Sequence, residues 1–436
     1  MQQSSKKTSL VWFGNDLRTA DNYVLNAAVE SSEKVIGVYF LDPKFFIPTK
    51  YGFKKTAVFR VQFLLESLED LKQQLQHLNI SLIVLHETPE NSLNKLISEY
   101  EITSVYRQNE WTTEEVKTYQ SSLNTISKTV DFKSYYNQFL YHPEDLDFEA
   151  KDTPRVFTHF RKAIEKSVEI RPLVVPKQMH KENLLENTPD VPTLEFLGYQ
   201  TPHQVPESAF PFKGGETQAN QRIESYVFES KALGFYKKTR NGLIGINYSS
   251  KFSAWLANGS LSPRTIYWNV KKFEATYGSN DSTYWMIFEL IWRDYFKFIS
   301  LKHGSHIFKI GGILEKTYDW NQDASLVDQW INGTTSNDFV NANMLELQKT
   351  GWMSNRGRQN VASYFSKTLQ LDWRIGAAYF EALLIDYDVH SNYGNWMYVS
   401  GVGNDPRNRT FNVKLQAERY DSNGAYRKKW LQTKLF

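Results

Sequence analysis

The sequence predicts an α/β domain followed by an all-α domain, with a long connector between them. Apolar strands alternate with amphipathic helices over about the first 135 residues, proline-rich irregular sequence follows, and helical periodicity dominates from Gly214 onward. At roughly 150 residues per domain, a chain of 436 residues has room for two or three domains. We place the domains at 1–140 and 206–436, and the connector at 141–205.

The first domain is predicted to be a parallel, Rossmann-like sheet with helices on both faces. Its strands are expected at 9–13, 35–40, 80–85, 104–106 and 130–132, and its helices at 22–31, 56–78, 89–100 and 113–123. The sequence has no G-x-G-x-x-G string after the first strand and no Walker A string. A standard dinucleotide or triphosphate site is therefore not expected here.

The connector and the second domain differ in pattern. The connector carries one short helix, expected at 157–165, and is interrupted by Pro143, Pro154, Pro172, Pro176, Pro189 and Pro192. The helices of the second domain are expected at 217–232, 251–258, 262–276, 282–303, 326–331, 338–349, 358–369 and 373–386.

Composition excludes several classes of protein. Hydrophobic residues make up 41% of the chain, and no apolar run approaches the roughly 20 residues of a membrane span. The N-terminus does not resemble a signal peptide, so we expect a cytoplasmic protein without a membrane partner. Cysteine is absent, which excludes thiolate catalysis and zinc–thiolate or iron–sulfur sites. His303 and His306 lack a third candidate ligand, so no metal site is predicted.

Aromatic and basic residues are concentrated in the second half of the chain. Ten of the 12 tryptophans lie from Trp255 onward, and residues 341–436 carry 13 Lys and Arg against 8 Asp and Glu. Core packing and a solvated surface are the ordinary explanations of these two features. Their coincidence favours a site for a flat cofactor or for nucleic acid.

One predicted helix carries polar groups on an apolar background. Glu289, Trp292, Arg293 and Phe296 recur at helical spacing and share one face. Burying such groups is costly unless they are paired or line a cavity. We therefore interpret this face either as a site wall or as an intrahelical ion pair at the edge of the core.

Other polar clusters lie at helix ends. Ser249 and Ser250 are candidates for capping the helix at 251–258, or for binding a pyrophosphate. The string from Asn355 to Gln359 opens another helix with two arginines, which suits an anionic group. The charged turn that ends at Arg18 is interpreted as structural.

The chain resembles the DNA photolyase/cryptochrome family, and within it the DASH-type cryptochromes. The string Ser354-Asn-Arg-Gly-Arg-Gln-Asn360 indicates the DASH branch. Further matching blocks lie at 157–161, 236–245, 261–264, 351–361, 371–374, 384–388, 391–396 and 401–406. The resemblance covers nearly the whole chain, and it implies a helical FAD-binding domain.

The resemblance implies a set of FAD contacts. Arg358 and Asp386 would form an ion pair at the isoalloxazine ring, Asp388 would contact the ring, and Asn392 would lie beside N5. The remaining implied contacts are Tyr236, Ser249, Ser250, Lys251, Ser253, Arg293 and Asn355. Trp396, Trp373 and Trp320 would carry electrons from the surface to the excited flavin.

The resemblance also implies a DNA substrate. Glu289 would stabilise a pyrimidine dimer, Trp292 would stack on it, and Asn355 and Arg356 would contact the lesion or its phosphates. Tyr398 and Gln359 replace less polar residues of classical photolyases. The expected reaction is blue-light repair of cyclobutane pyrimidine dimers in single-stranded or looped DNA, because weaker stacking favours an already unpaired lesion.

The resemblance also implies an antenna pigment bound to the N-terminal domain. Asn109 and Glu110 resemble the pocket that holds 5,10-methenyltetrahydrofolate, and an acidic helix start is the alternative interpretation. Most relatives carry Gly, Pro, Asp and Arg where this chain has Ser336, Asp338, Asn341 and Leu345, so a structural ion pair is expected to be missing.

Three functions compete at this point: a light-driven lyase, a blue-light photoreceptor that binds DNA with little repair, and a flavin-independent nucleic-acid-binding module. Only about 25 residues follow Phe411, which leaves little room for the long extension of signalling cryptochromes and favours repair. We expect a monomer.

Overall fold

The computed structural model describes residues 7–203 and 205–432, so the predicted domain ends at 1 and 436 lie outside the described residues. The N-terminal domain contains five parallel strands: β1 (Thr8–Trp12), β2 (Lys34–Phe40), β3 (Ser81–Leu85), β4 (Ile102–Gln108) and β5 (Asp131–Tyr135). They form one sheet in the order β3-β2-β1-β4-β5. Each predicted strand overlaps one of them.

The sheet is covered on both faces, as predicted. Its helices are α1 (Tyr23–Ser31), α2 (Val58–His77), α3 (Pro89–Glu99) and α4 (Thr113–Leu123). Successive side chains of a strand point to opposite faces, so Val11 and Leu10 of β1 belong to different hydrophobic clusters. The strand order reverses its direction at β1, which opens a crevice beyond the carboxyl ends of β1 and β4.

The segment between β5 and the second domain contains one described α-helix, α5 (Phe157–Ser167), together with short 3-10 turns. The second domain is helical. Its helices are α6 (Glu216–Ile223), α7 (Tyr236–Thr239), α8 (Ser253–Asn258), α9 (Pro263–Tyr277), α10 (Asp281–His303), α11 (Ala324–Ile331), α12 (Asp338–Thr350), α13 (Asn355–Ser363), α14 (Trp373–Leu383), α15 (Val389–Ser400), α16 (Val413–Tyr420) and α17 (Ala425–Leu431). The predicted order of an α/β domain and an all-α domain is confirmed.

The structure corrects the helix ends around α14. The helix predicted at 373–386 stops at Leu383, because Leu384 adopts an extended backbone. Asp388 then caps α15 by accepting a hydrogen bond from the backbone N–H of Ser391 (2.7 Å). The helices α15, α16 and α17 were not predicted from the sequence.

The predicted caps of α8 are also corrected. The helix begins at Ser253 rather than 251, and its N-cap residue is Phe252, which makes no side-chain cap. The Oγ of Ser250 accepts one long hydrogen bond from the backbone N–H of Phe252 (3.5 Å). The hydroxyls of Ser249 and Ser250 therefore do not serve as a helix cap, which leaves the binding interpretation.

The unusual residues near the start of α12 form an uncharged network. Asn341 accepts hydrogen bonds from the backbone N–H (2.9 Å) and the Oγ1 (2.7 Å) of Thr335, and donates to its carbonyl oxygen (2.8 Å). Among the described residues, neither Asn341 nor Leu345 takes part in an ion pair. Ser336 contacts the hydroxyl of Tyr364 (3.2 Å), and Asp338 lies in the first turn of α12. The side-chain amide of Asn341 thus holds Thr335 against the start of α12 through uncharged hydrogen bonds.

Across the part of the chain that the structure describes, no helix is both long and apolar enough to cross a membrane.

We expect Asn341→Ala to lower the free energy of unfolding by about 1–3 kcal/mol, because it leaves buried groups of Thr335 without partners. Urea denaturation measures this loss. Ser336→Ala is the control, since Ser336 is exposed and its loss should cost less than about 0.5 kcal/mol. Equal stability of the two variants would contradict the role assigned to the amide.

Candidate cofactor and DNA site

A cavity of about 250 Å³ lies among α7, α8, α10, α13 and the start of α15. It brings together ten of the eleven residues predicted to bind a cofactor. They are Tyr236, Ser249, Ser250, Lys251, Ser253, Arg293, Asn355, Arg358, Asp386 and Asp388. We call this the smaller cavity.

One wall of the smaller cavity is an ion pair. The guanidinium of Arg358 lies 2.9 Å from the carboxylate of Asp386, whose side chain is almost fully buried. Arg358 also donates through Nε to the carbonyl oxygen of Met353 (2.9 Å). Ser354, the residue before α13, caps that helix by accepting a hydrogen bond from the backbone N–H of Gly357. The pair is therefore fixed in orientation, and each charge compensates the other.

Asp388 forms a second charged wall. It pairs with the Nζ of Lys297 (3.0 Å) while it caps α15. Burial is the largest single effect and opposes its ionisation, but the neighbouring positive charges, of which Lys297 contributes most, and the hydrogen bond from Ser391 together outweigh it and hold the pKa of Asp388 well below its usual value. Lys297 was missed by the sequence analysis. Its i+8 spacing from Glu289 and i+4 spacing from Arg293 on α10 could have indicated it.

The serine loop is held in place by a buried arginine. Arg222 donates to the carbonyl oxygens of Ser250 (2.9 Å) and Ser249 (3.1 Å), and to the Oδ1 of Asn247 (2.9 Å). Arg222 follows no recognisable motif, and the sequence analysis did not identify it. It fixes the loop that presents its hydroxyls to the cavity.

Lys251 fits an anionic ligand. It is 2% exposed, and its Nζ lies 3.2 Å from the centre of the Tyr248 ring. It has no hydrogen-bond partner among the described residues. Burial lowers the pKa of Lys251 well below its usual value. A buried amine without a partner is costly, and a diphosphate group would compensate it.

Asn392 lies outside the cavity lining. It is buried, and its Nδ2 donates to the carbonyl oxygen of Ala377 on α14 (3.0 Å). Its neighbour Ser391 lines the cavity instead. Asn392, the eleventh residue predicted to bind the cofactor, therefore packs against α14 and does not line the smaller cavity.

Glu289 lines the smaller cavity, and it does not form the intrahelical ion pair considered as an alternative. Its carboxylate pairs with Arg240 (2.6 Å), and Arg293 instead donates to the carbonyl oxygen of Gln138 (2.6 Å). Burial raises the pKa of Glu289, and Arg240 opposes this rise. Arg240 lies in a block that matches the family, but its pairing was not predicted.

Trp292 lies on the same helix in an aromatic stack. Its ring is parallel to that of Phe157, with centroids 3.6 Å apart, and Tyr398 meets it edge-on at 6.0 Å. Phe157 therefore covers one face of the indole and fixes its plane. This role of Phe157 was not predicted from the sequence.

The remaining predicted DNA residues lie on α13. Asn355 is exposed at the start of the helix and lines the smaller cavity. Arg356 donates to the Oδ1 of Asn241 (3.0 Å) and lies over the ring of Tyr420. The Oε1 of Gln359 is buried and has no hydrogen-bond partner among the described residues.

The three predicted electron carriers share one hydrophobic cluster. Trp396 and Trp373 are fully buried, and Trp320 is partly exposed. Pairing between Asn321 and Leu371 brings the segment of Trp320 beside that of Trp373. Gly376 allows the close approach of Trp396, since a Cβ atom at that position would lie 2.2 Å from Cη2 of the indole.

Comparison with known proteins decides the family. Residues 9–179 match the family described as DNA photolyase, and residues 285–434 match the FAD binding domain of DNA photolyase. The chain is 44% identical over 435 residues to a cryptochrome DASH of Danio rerio, covering 98% of this chain and 84% of that protein. It is also 44% identical over 432 residues to a cryptochrome DASH of Gloeobacter violaceus, covering 98% and 86% respectively.

The chain belongs to the DNA photolyase/cryptochrome family. Solved structures agree with this. The crystal structure of a Synechocystis cryptochrome matches with a TM-score of 0.93 at 43% identity, covering 98% of this chain and 88% of that one. A class III photolyase from Agrobacterium tumefaciens matches with a TM-score of 0.82 at 26% identity, covering 99% and 88%. The resemblance seen in the sequence is confirmed, and the chain carries the FAD-binding domain of this family.

A second cavity of about 900 Å³ lies in the crevice at the carboxyl ends of β1 and β4, against the helical domain. We call this the larger cavity. Glu110 lines it, together with Glu114 and Glu115 of α4, whereas Asn109 does not. Asn109 instead uses its backbone N–H to donate to the carbonyl oxygen of Tyr135 (2.8 Å). Of the two residues predicted to bind the antenna pigment, only Glu110 therefore lines the larger cavity.

We expect Asp386→Asn to raise the Kd for FAD by about ten- to a hundredfold, because it removes the carboxylate charge that compensates the guanidinium of Arg358 at the cavity wall. Flavin absorbance of the purified protein, followed by titration of the apoprotein with FAD, measures this change. Asp281→Asn removes a matched surface ion pair with Lys237 and should leave the Kd unchanged. Equal flavin content in both variants would refute the role of Asp386.

Proposed function

We propose that this protein is a blue-light-driven lyase that repairs cyclobutane pyrimidine dimers, preferentially in single-stranded or looped DNA. One observation carries the proposal. Glu289 and the Arg358–Asp386 pair line the same smaller cavity, so a lesion held at Glu289 would lie within contact of the cofactor. FAD, when bound and reduced, supplies an electron on excitation, and the electron returns once both cyclobutane C–C bonds have broken.

Glu289 and Arg240 hold the lesion in this proposal. Their ion pair sits half-buried at the cavity wall, where water competes weakly for hydrogen bonds. The carboxyl can accept from a pyrimidine N–H when ionised, and can donate to a pyrimidine carbonyl when protonated. Because burial raises the pKa of Glu289, the protonated form is more accessible than for an exposed glutamate.

Trp292 provides the stacking surface. Phe157 already occupies one face of the indole, so a pyrimidine would stack on the other face. Base–aromatic stacking contributes roughly 1–3 kcal/mol per base, which is comparable to the few kcal/mol needed to flip a base out of duplex DNA. Stacking on the single indole of Trp292 can therefore hold a lesion that is already unpaired, but it barely offsets the cost of flipping a lesion out of duplex DNA.

Tyr398 and Gln359 support the preference for unpaired DNA. The ring of Tyr398 is perpendicular to that of Trp292 rather than stacked parallel to it (interplanar angle 88°). The Oε1 of Gln359 is buried and finds no hydrogen-bond partner within the described part of the chain, which makes its surroundings less apolar. Both residues reduce the apolar stacking area that would otherwise offset the cost of flipping.

The proposed route by which electrons reach the flavin from the surface consists of Trp396, Trp373 and Trp320. Their burial falls from the interior outward, since the first two are sealed and the third is partly exposed. The Nε1 of Trp373 donates to the carbonyl oxygen of Ile310 (2.9 Å), which fixes its ring.

The larger cavity is the proposed antenna site, with 5,10-methenyltetrahydrofolate as its pigment. Its lining combines Glu110 with the cationic side chains of Lys44, Lys55 and Arg107. Such a mixture suits a flat heterocycle that carries a carboxylate tail.

A photoreceptor that binds DNA with little repair is the second candidate. The polar substitutions at Tyr398 and Gln359 favour it, because they weaken the hold on a dimer without affecting the cofactor walls. Illumination of the reduced protein with a thymine dimer in single-stranded DNA separates the two functions. Loss of the dimer supports the lyase, and persistence of the dimer with DNA still bound supports the photoreceptor.

We expect Glu289→Gln to lower the repair yield by roughly tenfold or more while flavin is retained, because it removes the charge opposite Arg240. Glu274→Gln is the matched control: Glu274 is also a paired glutamate, bound to Lys271 at 2.8 Å, but it lies outside the cavity lining. An unchanged yield in Glu289→Gln would refute the assigned role.

We expect Trp373→Phe to slow light-driven flavin reduction in the presence of an external donor by roughly tenfold or more, because phenylalanine is harder to oxidise than tryptophan. Absorbance of the oxidised flavin during illumination measures the rate. Trp268→Phe removes an exposed tryptophan of α9 and should leave the rate unchanged. Equal rates in the two variants would exclude the proposed route.

A further inference from the structure

The indole of Trp373 contacts an aromatic ring that is not part of the tryptophan route. Tyr393 on α15 meets Trp373 on α14 with ring centroids 6.1 Å apart and an interplanar angle of 78°. Phe308 in turn meets Tyr393 at a centroid distance of 4.7 Å, with the rings nearly perpendicular. These two contacts hold the phenol ring beside Trp373. No role for Tyr393 was predicted from the sequence.

Tyr393 also lines the larger cavity. It is half-buried, and it shares the lining with Phe308, Glu381 and Asp388. The described lining residues include no member of the tryptophan route, because the three indoles lie in the hydrophobic cluster of the helical domain. Tyr393 therefore connects the indole of Trp373 with the larger cavity.

The hydroxyl of Tyr393 donates a hydrogen bond to a carboxylate. The acceptor is Oε2 of Glu381 on α14 (3.4 Å), whose side chain is 12% exposed. The Nζ of Lys55 lies 3.6 Å from the other carboxylate oxygen of Glu381, and Lys55 also pairs with Glu114. The contact from Tyr393 to Glu381 is long, as contacts to a proton acceptor often are before a reaction begins.

The phenol keeps its proton until it is oxidised. Burial raises the pKa of Tyr393 well above its usual value, and the negative charge of Glu381 adds to the rise. Burial also raises the pKa of Glu381, and Lys55 and Arg60 oppose that rise. Removing an electron from a phenol makes its O–H group strongly acidic, so the proton then moves to the carboxylate that already accepts its hydrogen bond.

We propose that Tyr393 is a second electron donor to oxidised Trp373, that Glu381 accepts its phenolic proton, and that the larger cavity is where an external reductant reaches Tyr393. Trp373 is then a branch point, with Trp320 at the end of one branch and Tyr393 at the end of the other. This branch rests on the proposed tryptophan route and does not depend on DNA repair.

The step balances in electrons and protons. Light-driven reduction of the flavin leaves Trp373 as an indole radical cation. Tyr393 gives one electron to that indole, its O–H bond breaks, and the proton passes to Oε2 of Glu381. The products are neutral Trp373, a neutral tyrosyl radical and a protonated Glu381.

The protonated Glu381 holds the oxidising equivalent on Tyr393. An electron can return from the flavin to Tyr393 only together with the proton, which slows the return. A small thiolate in solution restores the phenol by giving up one electron and becoming a thiyl radical, while Glu381 returns the proton to the phenolic oxygen.

The experiment is laser-flash absorbance of the FAD-loaded full-length protein with oxidised flavin, combined with EPR of samples frozen under illumination. Trp320→Phe is the parent protein, because it closes the exposed end of the tryptophan route. The parent should form a tyrosyl radical, identified by the narrowing of its EPR signal when ring-deuterated tyrosine is incorporated. Tyr393→Phe added to the parent should abolish the signal, because it removes the hydroxyl and keeps the ring.

Tyr379→Phe is the matched control for Tyr393→Phe. Tyr379 lies on the same helix as Trp373, but its ring packs against Phe53 and Trp330. When it is added to the parent, the tyrosyl signal should remain.

Glu381→Gln tests the proton acceptor. The amide still accepts a hydrogen bond but is not basic, and Lys55 retains its pair with Glu114. In the parent, this change should slow the decay of oxidised Trp373 by roughly tenfold or more, because a positioned base typically contributes at least about a hundredfold. The parent should also decay more slowly in deuterated water, and this isotope effect should disappear in Glu381→Gln.

Flavin reduction without a tyrosyl radical in the parent would overturn the branch while leaving the tryptophan route standing. A tyrosyl signal that survives Tyr393→Phe would overturn Tyr393 as the donor, and an unchanged decay in Glu381→Gln would overturn Glu381 as the acceptor. Absence of light-driven flavin reduction in the wild type would refute the tryptophan route itself, and the branch with it.

Discussion

The ion pair between Asp388 and Lys297 is the contact on which both cavities depend. Asp388 caps α15, so the same carboxylate positions the start of that helix and fixes a lysine from the middle of α10. Losing one partner of a buried pair leaves the other charge uncompensated, which typically costs several kcal/mol. The same interaction therefore fixes the start of α15 and the charge at the residue that lines both cavities.

A second set of buried contacts holds the two domains in register and so defines the larger cavity. The guanidinium of Arg18 donates to the carbonyl oxygens of Gly259 and Asn137 (both 2.9 Å), and Asp21 pairs with Arg264 of α9 (2.9 Å). These residues lie after β1, where the strand order reverses. The turn ending at Arg18, interpreted from sequence as structural, is thus an interdomain anchor, and the walls of the larger cavity cannot separate without breaking buried charged contacts.

The fold could be predicted well because its signals are local, whereas the site could be predicted only in part. Helical spacing placed Glu289, Trp292 and Arg293 on one face, since periodicity depends on neighbouring residues alone. The helix α15 was not predicted because its apolar residues are not confined to one face, and its stability comes from the Asp388 cap and from packing rather than from propensity. Arg222 and Lys297 act on partners far along the chain. Helical spacing could have placed Lys297 on the face of Glu289 and Arg293, but spacing within a single sequence does not reveal its pairing with Asp388.

The smaller cavity and the tryptophan cluster outside its lining differ in character, and that contrast suits the two proposed tasks. In the cluster, Trp396 packs against Phe380 and fits closely over Gly376, which leaves it almost fully buried. At the cavity, Glu289 and Arg240 are half-buried and keep their charges accessible to a polar ligand. A dry aromatic cluster permits close packing of oxidisable rings, and a half-solvated charged wall permits exchange of a polar lesion. Asp388 and Lys297 lie at the boundary with the larger cavity, where a buried charge acts over the longest distance because solvent screens it least.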